Sequence, residues 1–529
     1  MAKSKIEILL TPHEDIKERA DDMELYRRSY VGGSAFTEGG YLIKHPLETR
    51  RDFKNRKSES TFVNYSAPMV DILNSYLYRE NPKRVIGDSH LGKTANVAIQ
   101  MFWENADLRG RGYASLMKEI GRWASVYGYM GIIVDKPISD AAVSRAEELQ
   151  YGIRPYISYY KPTDIINWEY EANYNGPPVL TTLVLREPEL VENESVFRIW
   201  RRDTWELWKV VKKKTNAKED EPPRLIDTGE NRLGIVPFVL FRNKDDLEEM
   251  SGVSDLVDIA PINRRIFRYD SAALEIINRT AFPFLEVPVD SISGSNDKPV
   301  VIGVGNALER DLADTIGHRW VEPSHESLTN ILEWRRQSVL DIRETAKIGG
   351  VQLQQRQGSG VASGPALEVR FQQLNSILAA KAGLYEQGEE NILRLVVMWE
   401  DLSDSVDVRY PRKFGIRDIV ADLDTAIRAK DVILSPVYDK LVQKALAAKT
   451  LTDFGYSGDD ITRAGADIDA HEYVPSPRTM QNAGGMNGTS VVQVGEKTQK
   501  AQADAIKQAA ADNISKGPDI SSKKGPFTP

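Results

Sequence analysis

Cysteine is absent from this chain, which excludes disulfides, thiolate metal ligands and cysteine nucleophiles. Its absence fits a reducing compartment, or an assembly that passes from cytosol to outside without redox damage. Histidine is scarce, at six in 529 residues, and none is paired at ligand spacing, so no metal centre is expected. No apolar run approaches the roughly 20 residues of a membrane-spanning helix. The opening M-A-K-S-K-I-E-I-L-L has too short an apolar stretch and no small-residue cleavage site for a secretion signal. The net charge of −8 speaks against a protein that grips nucleic acid over its whole surface, though not against one that surrounds a duplex loosely.

What is present is ordinary globular material: 41% hydrophobic and 28% charged, in a chain too long for a single core. Helical periodicity marks residues 13–30, 47–57, 66–79 and two segments between 96 and 129, the last leading into a buried strand, Gly131–Asp135. Between 153 and 242 the pattern changes to β-branched and aromatic runs separated by Pro, Gly and Asn, which predicts an antiparallel meander. The charged run 212–221 reads as a solvated hairpin tip. Helices return at 262–281, where Ile262, Ile266, Tyr269, Ala273 and Ile276 keep a seven-residue rhythm, and at 326–348, with Leu328, Leu332, Val339, Ile342 and Ala346 in one stripe. They bracket an insert of some forty residues with a strand-like run at 300–305. Gly349 and Gly350 stop the second helix, a polar loop follows, and Pro365 opens a much longer helix. Leu367, Phe371, Leu374, Leu378, Tyr385, Ile392, Val396 and Trp399 carry it through roughly nine turns. Short helices are expected at 416–430, 436–449 and 458–469. From Ser476 the composition turns to Gly, Asn, Ser, Gln, Ala and Lys, which predicts disorder.

One motif invites an enzymatic reading. Gly87 to Thr94 reads G-D-S-H-L-G-K-T and satisfies the phosphate-loop pattern, with Lys93 to reach phosphate oxygens, Thr94 to hold magnesium, and Asp135 at the end of a strand. The context disagrees. Arg84 to Ile86 is too short a feeding strand, an antiparallel meander follows where parallel βα units are needed, and no glutamate stands beside Asp135 to activate water. The carboxylate pairs Glu147/Glu148, Asp245/Asp246 and Glu389/Glu390 read as exposed surface charge rather than general acid–base pairs.

The order of elements is more telling than any motif. Tyr41–Glu48, Asn64–Leu73, Asn105–Gly110, Tyr127–Pro137, Gly252–Leu256 and above all Ala362–Arg370 (A-S-G-P-A-L-E-V-R) resemble, in that order, the portal proteins of tailed bacteriophages. The resemblance covers roughly residues 40–475. It implies an α+β, mainly helical fold: a wing at 1–250, a stem helix at 251–283, a clip at 284–324, and a second stem helix at 325–348. A tunnel loop at 349–364, a long wing helix at 365–412 and a crown at 413–475 would complete it, with 476–529 a tail of unassigned role. It further implies a ring, usually of twelve subunits, at one capsid vertex. The expected partners are double-stranded DNA, the terminase large subunit, a head–tail adaptor, and the major capsid and scaffolding proteins. It implies neither a membrane nor a cofactor, with assembly in the host cytoplasm.

In that frame Gln352, Gln354, Gln355, Arg356 and Gln357 would face the channel. Glutamines offer weak, exchangeable hydrogen bonds and one arginine per subunit gives a sparse ring of charge, which suits DNA that must slide. Arg264, Arg265, Arg268, Arg335, Arg336 and Arg343 would line the stem, facing either the channel or a neighbouring subunit. The chain is then not expected to be an enzyme. A phosphate-loop NTPase and a low-order adaptor or scaffold are the competing readings.

Overall fold

A computed structural model describes residues 5–46, 48–87, 89–90, 96–137, 144–174, 176–189, 191, 193–211, 222–280, 284–288, 307–310, 319–321, 326–346, 364–412, 414, 440–441, 444, 447–448 and 458–470. The chain divides into two compact units, Met1–Gly415 and Ile416–Pro529. The second, among its described residues, holds the helix Gly458–Ala470, whose Asp469 carboxylate lies 2.5 Å from the Lys444 ammonium. Of the expected 416–430 and 436–449 helices, the first lies outside the described residues and the second is described only in part, as helical turns. The tail from 476 lies outside them too.

In the first unit the helices Glu14–Val31, Ser66–Leu77 and Tyr113–Tyr127 pack on one another. The last is built for burial: Leu116, Met117, Ile120 and Ala124 recur at helical spacing and are all inaccessible to solvent. It runs through Gly128 into the strand Tyr129–Asp135, which pairs antiparallel with Phe238–Arg242 on one side and Tyr156–Tyr160 on the other. Gly128 has φ +99°, and a Cβ there would come within 2.2 Å of the Gly252 carbonyl oxygen. Two glycines thus allow the end of this helix and the segment leading to the helix pair to cross backbone on backbone.

The meander is a five-stranded antiparallel sheet in sequence order: Ile165–Glu171, Val179–Arg186, Glu194–Arg201, Thr204–Val211 and Arg224–Glu230. Its first and last strands were not anticipated from the sequence. In the first, Ile166, Trp168 and Tyr170 alternate with Asn167, Glu169 and Glu171, the pattern of a half-buried strand, while the last is exposed along nearly its whole length. The pleat sorts its side chains by parity. Ile165, Leu183, Leu185 and Trp200 face the main core, while Ile166, Val184 and Ile199 form a second, smaller core. The short helix Lys5–Leu9 supplies Leu9 to that smaller core.

A four-residue strand, Lys83–Ile86, does exist ahead of the phosphate-loop pattern, but it pairs antiparallel with Val406–Arg409 and folds back antiparallel on Ser89–His90. Ile86 stands opposite Ser89, a hairpin register in place of the strand–loop–helix that cradles phosphate. Lys93 and Thr94 lie outside the described residues. Asp135 sits in a different, wholly antiparallel sheet, where it accepts a hydrogen bond from the Tyr156 hydroxyl at 3.0 Å.

Candidate functional site: a helix pair and the root of a long helix

Two helices, Ile259–Thr280 and Glu326–Thr345, run antiparallel. The ion pairs set their register: Arg265 Nη2 donates to Asp341 at 3.3 Å and Arg335 Nε to Asp270 at 2.5 Å, so five residues forward on one helix match six back on the other. At the far end of the pair, Phe284–Pro288 lies parallel to Ala307–Arg310 and antiparallel to Arg319–Val321, a small three-stranded sheet. The expected 300–305 strand lies outside the described residues.

The first helix is clamped to the body along its length. Asn263, Ile266, Phe267, Ser271 and Ala273 are buried. Arg56, almost wholly enclosed, donates to Ser271 Oγ at 3.0 Å and makes two 2.8 Å bonds to the Glu48 carboxylate. Those bonds hold the Glu48 carboxyl down to about 2 against the opposing effect of burial. Arg268 Nε donates to the Tyr41 carbonyl at 2.8 Å, and the Arg264 guanidinium lies 5.9 Å from the centre of the Tyr41 ring. Burial, with Arg264 beside it, shifts the Arg268 guanidinium downward. On the second helix Arg336 is exposed, with Glu333 at 3.6 Å, and Arg343 is half-buried in the last turn, where a cation suits the helix dipole. Five of the six candidate arginines therefore already have a partner within their own chain.

The stripe expected on the second helix is shifted. Ser338 and Ile342 define the buried face and Val339 flanks it, whereas Leu332 is exposed. At about 100° per residue Leu332 lies about 80° around from Ile342, at the margin of the contact rather than in it.

The glutamines and arginine proposed for the channel, 352 and 354–357, lie outside the described residues. What the structure describes is the helix that follows them, Gly364–Trp399, 36 residues long. Leu374, Leu378, Tyr385, Ile392, Val396 and Trp399 are buried as their spacing predicts. Between them sit two buried charges, Lys381 and Glu389. Glu389, expected on the surface, is fully enclosed and meets Arg84 through two bonds of 2.5 and 2.7 Å. The Tyr410 hydroxyl donates to the same carboxylate at 2.5 Å, and Tyr78 lies 3.1 Å from Tyr410. Burial and the Glu389 charge push the hydroxyls of Tyr78 and Tyr410 well above the ordinary tyrosine range, so both stay protonated donors. Burial works against the Arg84 cation, but Glu389 outweighs it and the guanidinium stays charged.

Four residues short of Tyr385, Lys381 donates to Asp255 at 2.7 Å and to Ser125 Oγ at 2.5 Å, and Lys244 stands 3.0 Å from the other Asp255 oxygen. Burial raises the Asp255 carboxyl, but the two lysines hold it at about 2. Because Asp255 lies just ahead of the first paired helix, this cluster ties the root of the helix pair to the long helix. The spacing held the clue: Lys381 and Glu389 fall three or four residues from Leu378, Tyr385 and Ile392, on the apolar stripe itself. A charge there demands a buried partner.

No protein-family profile matches the chain, and no curated protein matches it. Among solved structures it is similar to a chain of the neck of an empty GTA particle, determined with C6 symmetry. That likeness has a TM-score of 0.35 and 11% identity over 74% of this chain and 90% of that one. It is also similar to a chain of the neck of a native GTA particle, determined with C12 symmetry, with a TM-score of 0.36 and 10% identity over 78% of this chain and 98% of that one.

Proposed function

We propose that this chain is the subunit of a ring-shaped head–tail connector of the phage portal type. The ring forms a channel at one capsid vertex, through which a terminase packages double-stranded DNA and from which the genome later leaves. The observation that carries this is the antiparallel helix pair with a small sheet at its far end, followed by a long helix whose root is ion-paired to the start of that pair. In this role the helix pair is the stem, the sheet belongs to the clip that meets motor and adaptor, and residues 349–364 face the channel. The net negative charge favours sliding over gripping. The role needs no cofactor and no catalysis by this chain.

Electron microscopy and native mass spectrometry of the purified full-length chain test it. Closed rings, twelve-fold by expectation, with a central hole wide enough for a duplex, support it. Monodisperse monomers at micromolar concentration overturn it. ATP turnover abolished by Lys93→Ala would instead favour the NTPase reading. With rings in hand, deleting Gln352–Gly360 should leave assembly intact and impair DNA packaging or retention. Loss of rings in that deletion would make the loop a structural element.

A further inference from the structure

The helix Glu326–Thr345 exposes large apolar side chains on two flanks at once. Leu332 (48% exposed) and Leu340 (37%) share one flank with Arg336 between them, at four-residue steps that form a single ridge. Trp334 (64% exposed) lies about 160° from Leu332 across the buried face, on the opposite flank, with Asp341 two turns further along the same line. A two-fold contact needs only one self-complementary patch. A head-to-tail contact, the kind that closes a ring, needs two different ones.

Resting on the ring reading above, we infer that the two flanks are the two halves of one subunit contact: Trp334 of each chain seats on the Leu332–Arg336–Leu340 ridge of the next copy. Chemistry and spacing both match. Neighbours in a ring run in the same direction, so features spaced seven apart on one flank meet features spaced seven apart on the other. Trp334 and Asp341 carry that spacing on one side, and Arg336 and Arg343 on the other. An indole face attracts a guanidinium, and among the described residues Arg336 has only the exposed Glu333 at 3.6 Å to compete for it. Asp341, although it accepts from Arg265 and Gln337, keeps free lone pairs for a second arginine. Tryptophan and arginine are also the side chains that most often dominate such contacts.

The lack of cysteine makes the test clean. At concentrations raised until the full-length double variant Trp334→Cys/Arg336→Cys forms rings, a short bis-maleimide should give a covalent ladder up to ring size, while either single variant gives none. Residues two apart on a helix do not face each other, and any bridge within one chain stays at monomer size on a denaturing gel, so the ladder reports only bridges between copies. In parallel, Trp334→Ser should keep the wild-type circular dichroism while raising the concentration for half-assembly at least tenfold. Intact rings without a ladder, dimers from Trp334→Cys alone, or unchanged assembly of Trp334→Ser would each overturn the contact. A wild-type chain that forms no rings would sink the connector reading and this contact with it.

Discussion

The helix pair and the long helix are both held by arginine or lysine against carboxylate, yet the two sets of pairs do different work. On the helix pair, Arg265–Asp341 and Arg335–Asp270 are part-exposed, and water competes for every charge. On the long helix, Arg84–Glu389 is sealed from solvent and Lys381–Asp255 nearly so. A sealed pair contributes little net energy over apolar residues of the same shape, but removing one partner strands the other. The exposed pairs bias the register of the helix pair, whereas the buried ones forbid any other seating of the long helix.

The largest effect is therefore expected from Glu389→Ala, which leaves Arg84 charged and unpaired in the core. Thermal or denaturant unfolding should show a loss of about 3–5 kcal/mol; a loss below 1 kcal/mol would mean that water reaches the site. Next comes Asp255. Its carboxyl is depressed in the folded chain, so its contribution is complete above the ordinary aspartate range and vanishes as pH falls from about 4 towards about 2. At neutral pH it amounts to about 2 kcal/mol. Lys381→Met should flatten the acid limb of the stability–pH curve in that window; an unchanged limb would assign the acid sensitivity elsewhere. Arg335→Ala should cost no more than about 1 kcal/mol and lose most of that effect in molar salt. Least is expected of Arg336→Ala on the isolated chain, where unfolding should be unchanged within error, so any defect would be confined to assembly.

The same contrast explains what could be read in advance. Periodicity located the long helix, the helix pair and three of the meander strands because their apolar residues repeat cleanly, and Val179–Arg186 was anticipated to the residue. Residues 166–171 and Val406–Arg409 do alternate apolar and polar residues as half-buried strands do, a signal that was there to be read, whereas Arg224–Glu230 matches no template and only pairing with a neighbour makes it a strand. The arginines of the helix pair were visible as a cluster, but their intrachain partners, Asp270 and Asp341, depend on a register that no local pattern encodes. Glu389 was misjudged through its neighbour. Beside Glu390 it looked like surface charge, yet one helical step of about 100° separates an exposed ion pair with Arg394 from the core.

The long helix also has a mechanical consequence. From Lys381 back to Gly364 is about 26 Å of helix at ~1.5 Å per residue. Leu374 and Leu378 are buried on that stretch and Asn375 accepts from the Phe414 amide at 2.7 Å, so the helix is held as far back as Leu374, about 15 Å from Gly364. Pivoting at Leu374, a rotation of about 8° would displace the Gly364 end by about 2 Å, the size of shift that moves helices between discrete packings. Because Asp255 roots the helix pair on Lys381 of the same helix, the pair and the long helix share one anchored segment.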